Sequence, residues 1–374
     1  MSVSENDSGS VIMTAGLIVT YSCNLNCTYC YENNKADRYM TFETAREILT
    51  PLLKESAEPL QVMLMGGEPL MVFPVIRQLV EWVLENKNQW NRDCFFFGST
   101  NGTLLDGEMK QWFHLHRDHV ILALSFDGLP EAQNRNRCCS AKRIDLEFFQ
   151  QNWPNQKIQM TINEDTVDQM AAGVIFLLKK GFQVNPSVAY ENHEWDDETV
   201  LEYLHQLLIL KDYYLTHLSA PLIYQFRHPL KEYAKELKNP TVQQQQCGAG
   251  CGFAMFDMDK KKYPCHMMSP LVMSGEQLKK LNGFDRKHTI FSDERCVGCP
   301  YISACATCAG SNYLYRGDFS RRDATHCRIQ QLEVLVCLRY WVSKINQWPD
   351  LGDRDMAEAI CQLTAYHKKR GRES

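Results

Sequence analysis

The chain has 374 residues, a net charge of −5 and 44% hydrophobic residues. That is enough to bury a real core, and a length prior suggests two domains or slightly more. The small negative charge argues against nucleic acid, no run of apolar residues is long enough to span a membrane, and the polar, acidic start MSVSENDSGS lacks the basic and apolar regions of a secretory signal. The expected location is the cytoplasm.

In chain order, LIVT (17–20) reads as a strand that delivers the chain to Cys23. A helix is expected from about Thr41, with Thr41 and Thr44 as caps and Ile48, Leu49, Leu52 and Leu53 as its apolar face. VMLMGG (62–67) is a second strand, followed by a helix over 74–88. CFFFGSTNG (94–102) and VILALSFDG (120–128) are the third and fourth strands; IQMTIN (158–163) and VNPSVAY (184–190) are the fifth and sixth. Helices are expected over 167–180 and 197–210. Strands alternating with helices imply a parallel sheet. Six such repeats fall short of an eight-stranded barrel, so the expected fold is α/β, a partial (β/α)6 barrel. The periodicity breaks near Pro240, a cysteine-rich segment follows, and the chain ends in a helix over 327–347 and a short basic helical tail. The expected division is 1–235 for the barrel, 236–345 for a metal-stapled auxiliary domain and 346–374 for the tail.

The sequence contains sixteen cysteines. In a reducing compartment so many argue for metal or redox work rather than disulfides. Three of them, Cys23, Cys27 and Cys30, share one loop, and eight lie between Cys247 and Cys327. Thiolates are the preferred ligands of iron–sulfur clusters. A cubane has four irons, so three cysteines leave one iron open to a substrate or cofactor. The alternative is a zinc knuckle that borrows a distant fourth ligand.

CNLNCTYC, with Tyr29 before the last cysteine, resembles the signature of the radical S-adenosylmethionine superfamily. GGEPL (66–70), STNGTLL (99–105) and LSFDG (124–128) resemble the strand-end segments that follow it there. The resemblance implies a [4Fe-4S] cluster on Cys23, Cys27 and Cys30, and S-adenosylmethionine on its open iron. Glu68 would pair with the cofactor's ammonium, with Gly66 and Gly67 allowing close backbone approach. Tyr29, Asn101 and Ser125 would face the cofactor. Among Arg135, Arg137 and Arg143, Arg137 is the chosen partner for its carboxylate.

The second array runs Cys247, Cys251, Cys265, Cys296, Cys299, Cys305, Cys308 and Cys327. It resembles the SPASM extension of radical enzymes that modify peptides. That resemblance implies two auxiliary [4Fe-4S] clusters, one on Cys247, Cys251, Cys265 and Cys308, the other on Cys296, Cys299, Cys305 and Cys327. Two positions depart from the pattern: two residues rather than three separate Cys305 from Cys308, and Lys260 stands where a glycine is usual. Zinc ribbons, or a single cluster on four of these cysteines, are the alternatives. Of the remaining cysteines, Cys94, Cys337 and Cys361 read as core or helix residues, whereas Cys138 and Cys139 lie nearer the expected site.

The resemblance implies an enzyme acting on a peptide. One branch installs thioether or carbon–carbon crosslinks in a ribosomally made precursor; CPYISACATCAGSNY (299–313) is closest to it. The other, the anaerobic sulfatase-maturing branch, makes formylglycine and has an aspartate after its third auxiliary cysteine. Here that residue is His266, which could itself serve as a base. A third alternative is a non-catalytic iron–sulfur electron carrier or regulator. The expected partners are a precursor peptide, an electron donor such as flavodoxin or ferredoxin, and, given the short segment ahead of the first strand, possible dependence on a separate leader-binding protein.

Overall fold

The structure is a computed structural model that describes residues 12–56, 58–189, 191, 193, 195–239, 248–284, 293–302, 305, 307–351 and 353–373. Six strands alternate with helices in the first part of the chain. They are β1 (Thr14–Thr20), β2 (Leu60–Gly66), β3 (Cys94–Thr100), β4 (Val120–Leu124), β5 (Lys157–Ile162) and β6 (Gln183–Val188). Helices α1 (Phe42–Lys54), α2 (Phe73–Glu85) and α3 (Gly107–Leu115) follow the first three strands. Helices α4 (Pro130–Asn136) and α5 (Leu146–Asn152) follow β4, α6 (Met170–Lys179) follows β5, and α7 (Asp197–Thr216) and α8 (Leu230–Lys238) follow β6. This is the expected α/β alternation. Thr41 caps α1 by accepting from the Thr44 amide, and Ile48, Leu49, Leu52 and Leu53 are buried as the periodicity requires.

Strands β1 to β4 pair in parallel, in the order β4-β3-β2-β1. A short strand in the cysteine-rich segment, β7 (Phe253–Phe256), adds in parallel to the free edge of β1, and β8 (Lys262–Tyr263) pairs with it antiparallel. Strands β5 and β6 pair with each other in a separate two-stranded sheet. The later helices are α9 (Gly275–Lys279), α10 (Ala309–Arg316), α11 (Ala324–Gln347) and α12 (Arg354–Glu373).

The chain divides into two compact units. The first comprises 1–125, 137–156 and 248–286, and the second 126–136, 157–247 and 287–374. In the first unit Ile18, Tyr21, Met255 and Leu271 form a core where β7 meets β1. In the second, Leu230 and Tyr233 of α8 pack with Val334, Cys337 and Leu338 of α11 and with Ile360 and Leu363 of α12. Among the described residues no helix is long and apolar enough to cross a membrane.

Candidate active site and thiol clusters

Residues 21–40 leave β1, carry the three cysteines and come back along the same strand. The Tyr21 amide donates to the Arg38 carbonyl (2.9 Å) and the Met40 amide to the Val19 carbonyl (2.8 Å), so the loop is closed at its base. Cys23, Cys27 and Cys30 are half-buried thiols on that loop, outside any disulfide. The Cys30 amide donates to the Cys27 carbonyl at 3.2 Å and the Leu25 amide to Cys23 Sγ at 3.5 Å. Lys35 interacts with both Cys23 and Cys30. Burial raises the Cys23 pKa, while the Leu25 amide and the Lys35 charge act against it. The site thus supplies three soft donors with a lysine beside two of them.

The GGE turn is built around this loop. Gly67 and Glu68 amides donate to the Thr20 and Ser22 carbonyls at 3.2 and 2.9 Å. Gly66 has φ +140°, and a Cβ there would lie 2.1 Å from the Thr20 carbonyl oxygen. A Cβ on Gly67 would lie 2.2 Å from the Ser22 carbonyl oxygen and 2.9 Å from Cys23 Cβ. The close approach that demands these two glycines is therefore to the cysteine loop itself.

Glu68 is buried at 1% exposure. Its Oε1 accepts from Thr100 Oγ1 (2.7 Å) and the Leu70 amide (3.1 Å), and its Oε2 from the Asn101 amide (2.7 Å). Burial raises its pKa, and these donors together with Arg137 pull against that rise. Arg137, itself buried, lies over the Tyr29 ring at 5.2 Å from the centroid. Glu68, Arg137, Tyr29 and the triad, named separately from the sequence, thus share one neighbourhood within the first unit.

Asn101 holds the loop from the other side. Its Nδ2 donates to Asn24 Oδ1 at 2.9 Å, and Asn24 Nδ2 donates to Thr103 Oγ1 at 2.8 Å. The Ser125 amide donates to the Thr100 carbonyl at 2.9 Å, which leaves its half-buried hydroxyl on the same strand edge. Asp127 plays a structural part in the second unit: its carboxylate accepts from the Thr161 amide of β5 (3.0 Å) and from Asn136 Nδ2 (3.3 Å).

Three participants, Glu32, Lys35 and Asn24, were not named from the sequence, whereas Cys138 was. Glu32 is buried beside Lys35 and Glu68, and burial first, then the Glu68 charge, lifts its pKa to about 7 against the opposing pull of Lys35. Lys35 and Asn24 were hidden because only the folded loop gives them partners. Cys138 exchanges two 3.2 Å hydrogen bonds with the Asn26 backbone, and both Cys138 and Cys139 have φ +53°. Left-handed backbone at two successive non-glycine residues costs energy and marks a place where contacts impose the conformation. Cys94 and Cys337 are shifted up to about 12 by burial and are inert as packing residues.

Of the second array, Cys247 lies outside the described residues. Cys251 and Cys265 belong to the first unit, where the Gly250 amide donates to the Pro264 carbonyl at 3.2 Å. His266 is half-buried against Tyr31, its Nδ1 is enclosed without a hydrogen bond, and burial lowers its pKa to about 4. It is neutral near pH 7 and a weak base there. Cys308 belongs to the second unit and caps α10.

Cys296, Cys299, Cys305 and Cys327 also lie in the second unit, and their charges act on one another. Arg322, buried at 4% exposure, donates from Nη1 to Cys305 Sγ at 2.8 Å. Gln330 Oε1 lies 3.1 Å from the same sulfur. Asp293 accepts two hydrogen bonds from the Arg295 guanidinium, one from the Arg295 amide and one from the Arg322 amide at 3.1 Å. Four gathered thiols around a buried guanidinium fit a cluster whose net charge is negative. No group of three or more His, Cys, Asp or Glu among the described residues is placed to hold a single metal ion.

Residues 17–190 match the Radical SAM superfamily. The matched segment, under half of the chain, spans the cysteine triad, the GGE turn and the strand ends described above. It is 30% identical over 128 residues to a cysteine-type anaerobic sulfatase-maturating enzyme of Clostridium perfringens, covering 31% of this chain and 34% of that one. Curated relatives at 30% identity or more are matched over little more than a third of their length. Among solved structures, native anSMEcpe with bound AdoMet and Kp18Cys peptide superposes with a TM-score of 0.66 at 18% identity, covering 89% of this chain and 99% of that one. Streptococcus suis SuiB bound to precursor peptide SuiA gives 0.56 at 14% identity, covering 85% and 76%. At these identities the likeness is one of fold.

Proposed function

We propose that the chain is a peptide maturase that abstracts hydrogen from a ribosomally made precursor and installs thioether or carbon–carbon crosslinks. The observation that carries this reading is the second set of gathered thiols, Cys296, Cys299, Cys305 and Cys327, on a chain that already has a complete triad for its superfamily. A generator of radicals needs only the triad; a second iron–sulfur site suits a reaction that must also take electrons away from its product. Solved structures that share the fold hold peptides, as their descriptions state.

In this reading Cys23, Cys27 and Cys30 hold the open cluster. Glu68 and Arg137 meet the ammonium and carboxylate of S-adenosylmethionine, beside Tyr29, Asn101 and Ser125. The cluster and S-adenosylmethionine together supply a 5′-deoxyadenosyl radical. The chain's own work is to hold the loop against the GGE turn, fix the cofactor's charged end and keep water out. Residues 236–345 form the auxiliary domain, with Cys247, Cys251, Cys265 and Cys308 holding the nearer cluster. A flavodoxin or ferredoxin supplies electrons in the cytoplasm, and a separate protein can present the leader.

The similarity to a sulfatase-maturating enzyme favours one second reading, formylglycine formation. His266 counts against it, because it stands where that branch has an aspartate. The test is direct. Reconstituted protein with dithionite and S-adenosylmethionine should release 5′-deoxyadenosine; none from protein with filled clusters would refute the enzyme reading. A cysteine-containing precursor encoded beside the gene should then lose about two hydrogens per crosslink by mass spectrometry. Conversion of a sulfatase peptide's cysteine to an aldehyde, with no crosslink in the precursor, would favour formylglycine formation instead.

A further inference from the structure

The second unit contains a cavity of about 580 Å3 that the reading above does not use. Ser187 and Val188 at the end of β6, Tyr224, His228, Ile329 and Glu333 contribute to its lining. Glu333 stands on α11 six residues beyond Cys327 and is 3% exposed. Its Oε1 accepts from Tyr203 Oη at 2.5 Å and from Tyr224 Oη at 3.2 Å. Its Oε2 faces His228 Nε2 at 3.5 Å, beyond ordinary hydrogen-bond length, and its charge also acts on His326, which lines the same cavity. The His228 nitrogen makes no hydrogen bond of its own. Among the described residues no lysine or arginine pairs with Glu333, and Arg227, which also lines the cavity, is solvent-exposed.

A carboxylate withdrawn from water with imidazoles beside it, and no lysine or arginine paired with it among the described residues, is incompletely compensated, and the balance is improved by a cation that arrives with a ligand. The neighbouring walls, Val188, Pro229 and Ile329, are apolar and suit a methylene stem. The volume is that of a small-ligand pocket rather than of a buried water.

We infer that this cavity is a subsite for the cationic side chain of a lysine- or arginine-type residue in the substrate peptide, with Glu333 as its charge partner. The inference rests on the peptide reading for the source of that side chain. The carboxylate's preference for an alkyl cation stands on the cavity alone.

The experiment is ligand binding to the reconstituted full chain, followed by saturation-transfer NMR, with three probes: Nα-acetyl-lysine methylamide, its norleucine analogue and cadaverine. The lysine amide should bind at least tenfold more tightly than the norleucine amide. Glu333→Gln should remove that difference, and 5′-deoxyadenosine release should stay unchanged. Ser187→Tyr, which adds bulk to the β6 side of the lining and keeps Glu333 in the sequence, should weaken the lysine amide at least fivefold. Equal binding of lysine and norleucine amides, or full binding to both variants, would overturn the subsite. Cadaverine binding tenfold more tightly than the lysine amide would overturn the peptide source in favour of a free diamine. Failure of the peptide reading is seen separately, as 5′-deoxyadenosine release without any modified peptide.

Discussion

At the scale of single residues, the triad and the two glycines were legible because their message lies in covalent spacing. Their partners were not. Asn24, Glu32 and Lys35 become site residues only when the loop folds back and places them against Asn101, Glu68 and the thiols. The glycines also carry a different meaning from the one expected, because the atoms they leave room for are Thr20 and Ser22 carbonyls. Gly67→Ala should therefore act through the cysteine loop. Its Cβ would lie 2.2 Å from Ser22 O, and relief requires moving the segment that carries Cys23. We expect a stability loss of about 1–3 kcal/mol in denaturant, with iron at the triad and 5′-deoxyadenosine release lowered at least roughly tenfold. Normal iron content at the triad would show that the loop tolerates the shift. Arg322 yields a second prediction under the two-cluster reading. A buried cation that donates to Cys305 stabilises the reduced, more negative cluster. Arg322→Met should lower that cluster's midpoint by on the order of 60 mV, a tenfold change in its one-electron equilibrium. Arg322→Lys should recover part of the shift in an EPR-monitored titration.

At the scale of elements, helices with a cap and a full apolar face were readable, as α1 shows through Thr41 and its four buried aliphatics. Strand β7 was not, because four residues in a cysteine-rich segment carry no period of their own and gain their partner only from β1, far away in sequence. The turn between β7 and β8 explains the departure noted at Lys260. This residue has φ +59°, a conformation that glycine adopts freely and a lysine adopts at some cost. Asp257 holds the turn by accepting from the Asp259 and Lys261 amides at 2.9 Å. Lys260 adds an exposed ion pair to Glu47, which is worth little. Lys260→Gly should thus leave stability unchanged or slightly raised, and Lys260→Val should lower it by about 1–2 kcal/mol in urea. The turn before Cys296 carries a pH dependence. Hydrogen bonds from Arg295 foremost, and from the Arg322 amide, hold the Asp293 carboxyl well below the usual carboxylate range. A depressed folded pKa stabilises the fold above the unfolded value of about 4, and that contribution fades as pH falls below it. Asp293→Asn should flatten the loss of thermal stability between neutral and about pH 3, and an unchanged acid profile would count against this pair.

For the whole molecule, the alternation of strand and helix was legible, but sheet membership was not. Placing β5 and β6 in their own sheet, and β7 on the edge of β1, depends on pairings between distant segments that no local pattern encodes. The cysteines were legible as two groups, and the structure adds that Cys296, Cys299, Cys305 and Cys327 are gathered within one unit beside a core of Tyr301, Leu230, Tyr233 and Val334. That adjacency predicts how metal content and folding are coupled. Tyr301 stands between Cys299 and Cys305 in sequence and is 3% exposed, so loss of a cluster on these thiols would loosen one wall of the core. The reconstituted protein should contain about twelve irons, in three cubanes of four. Cys305→Ser should remove about four of them and lower the melting temperature. It should leave 5′-deoxyadenosine release largely intact, because the triad, Glu68 and Arg137 belong to the other unit. Chelation of all iron should lower the melting temperature further and abolish release. A wild-type content of about four irons, with Cys305→Ser unchanged in both metal and melting, would remove the auxiliary clusters and leave the triad as the enzyme's whole inorganic machinery.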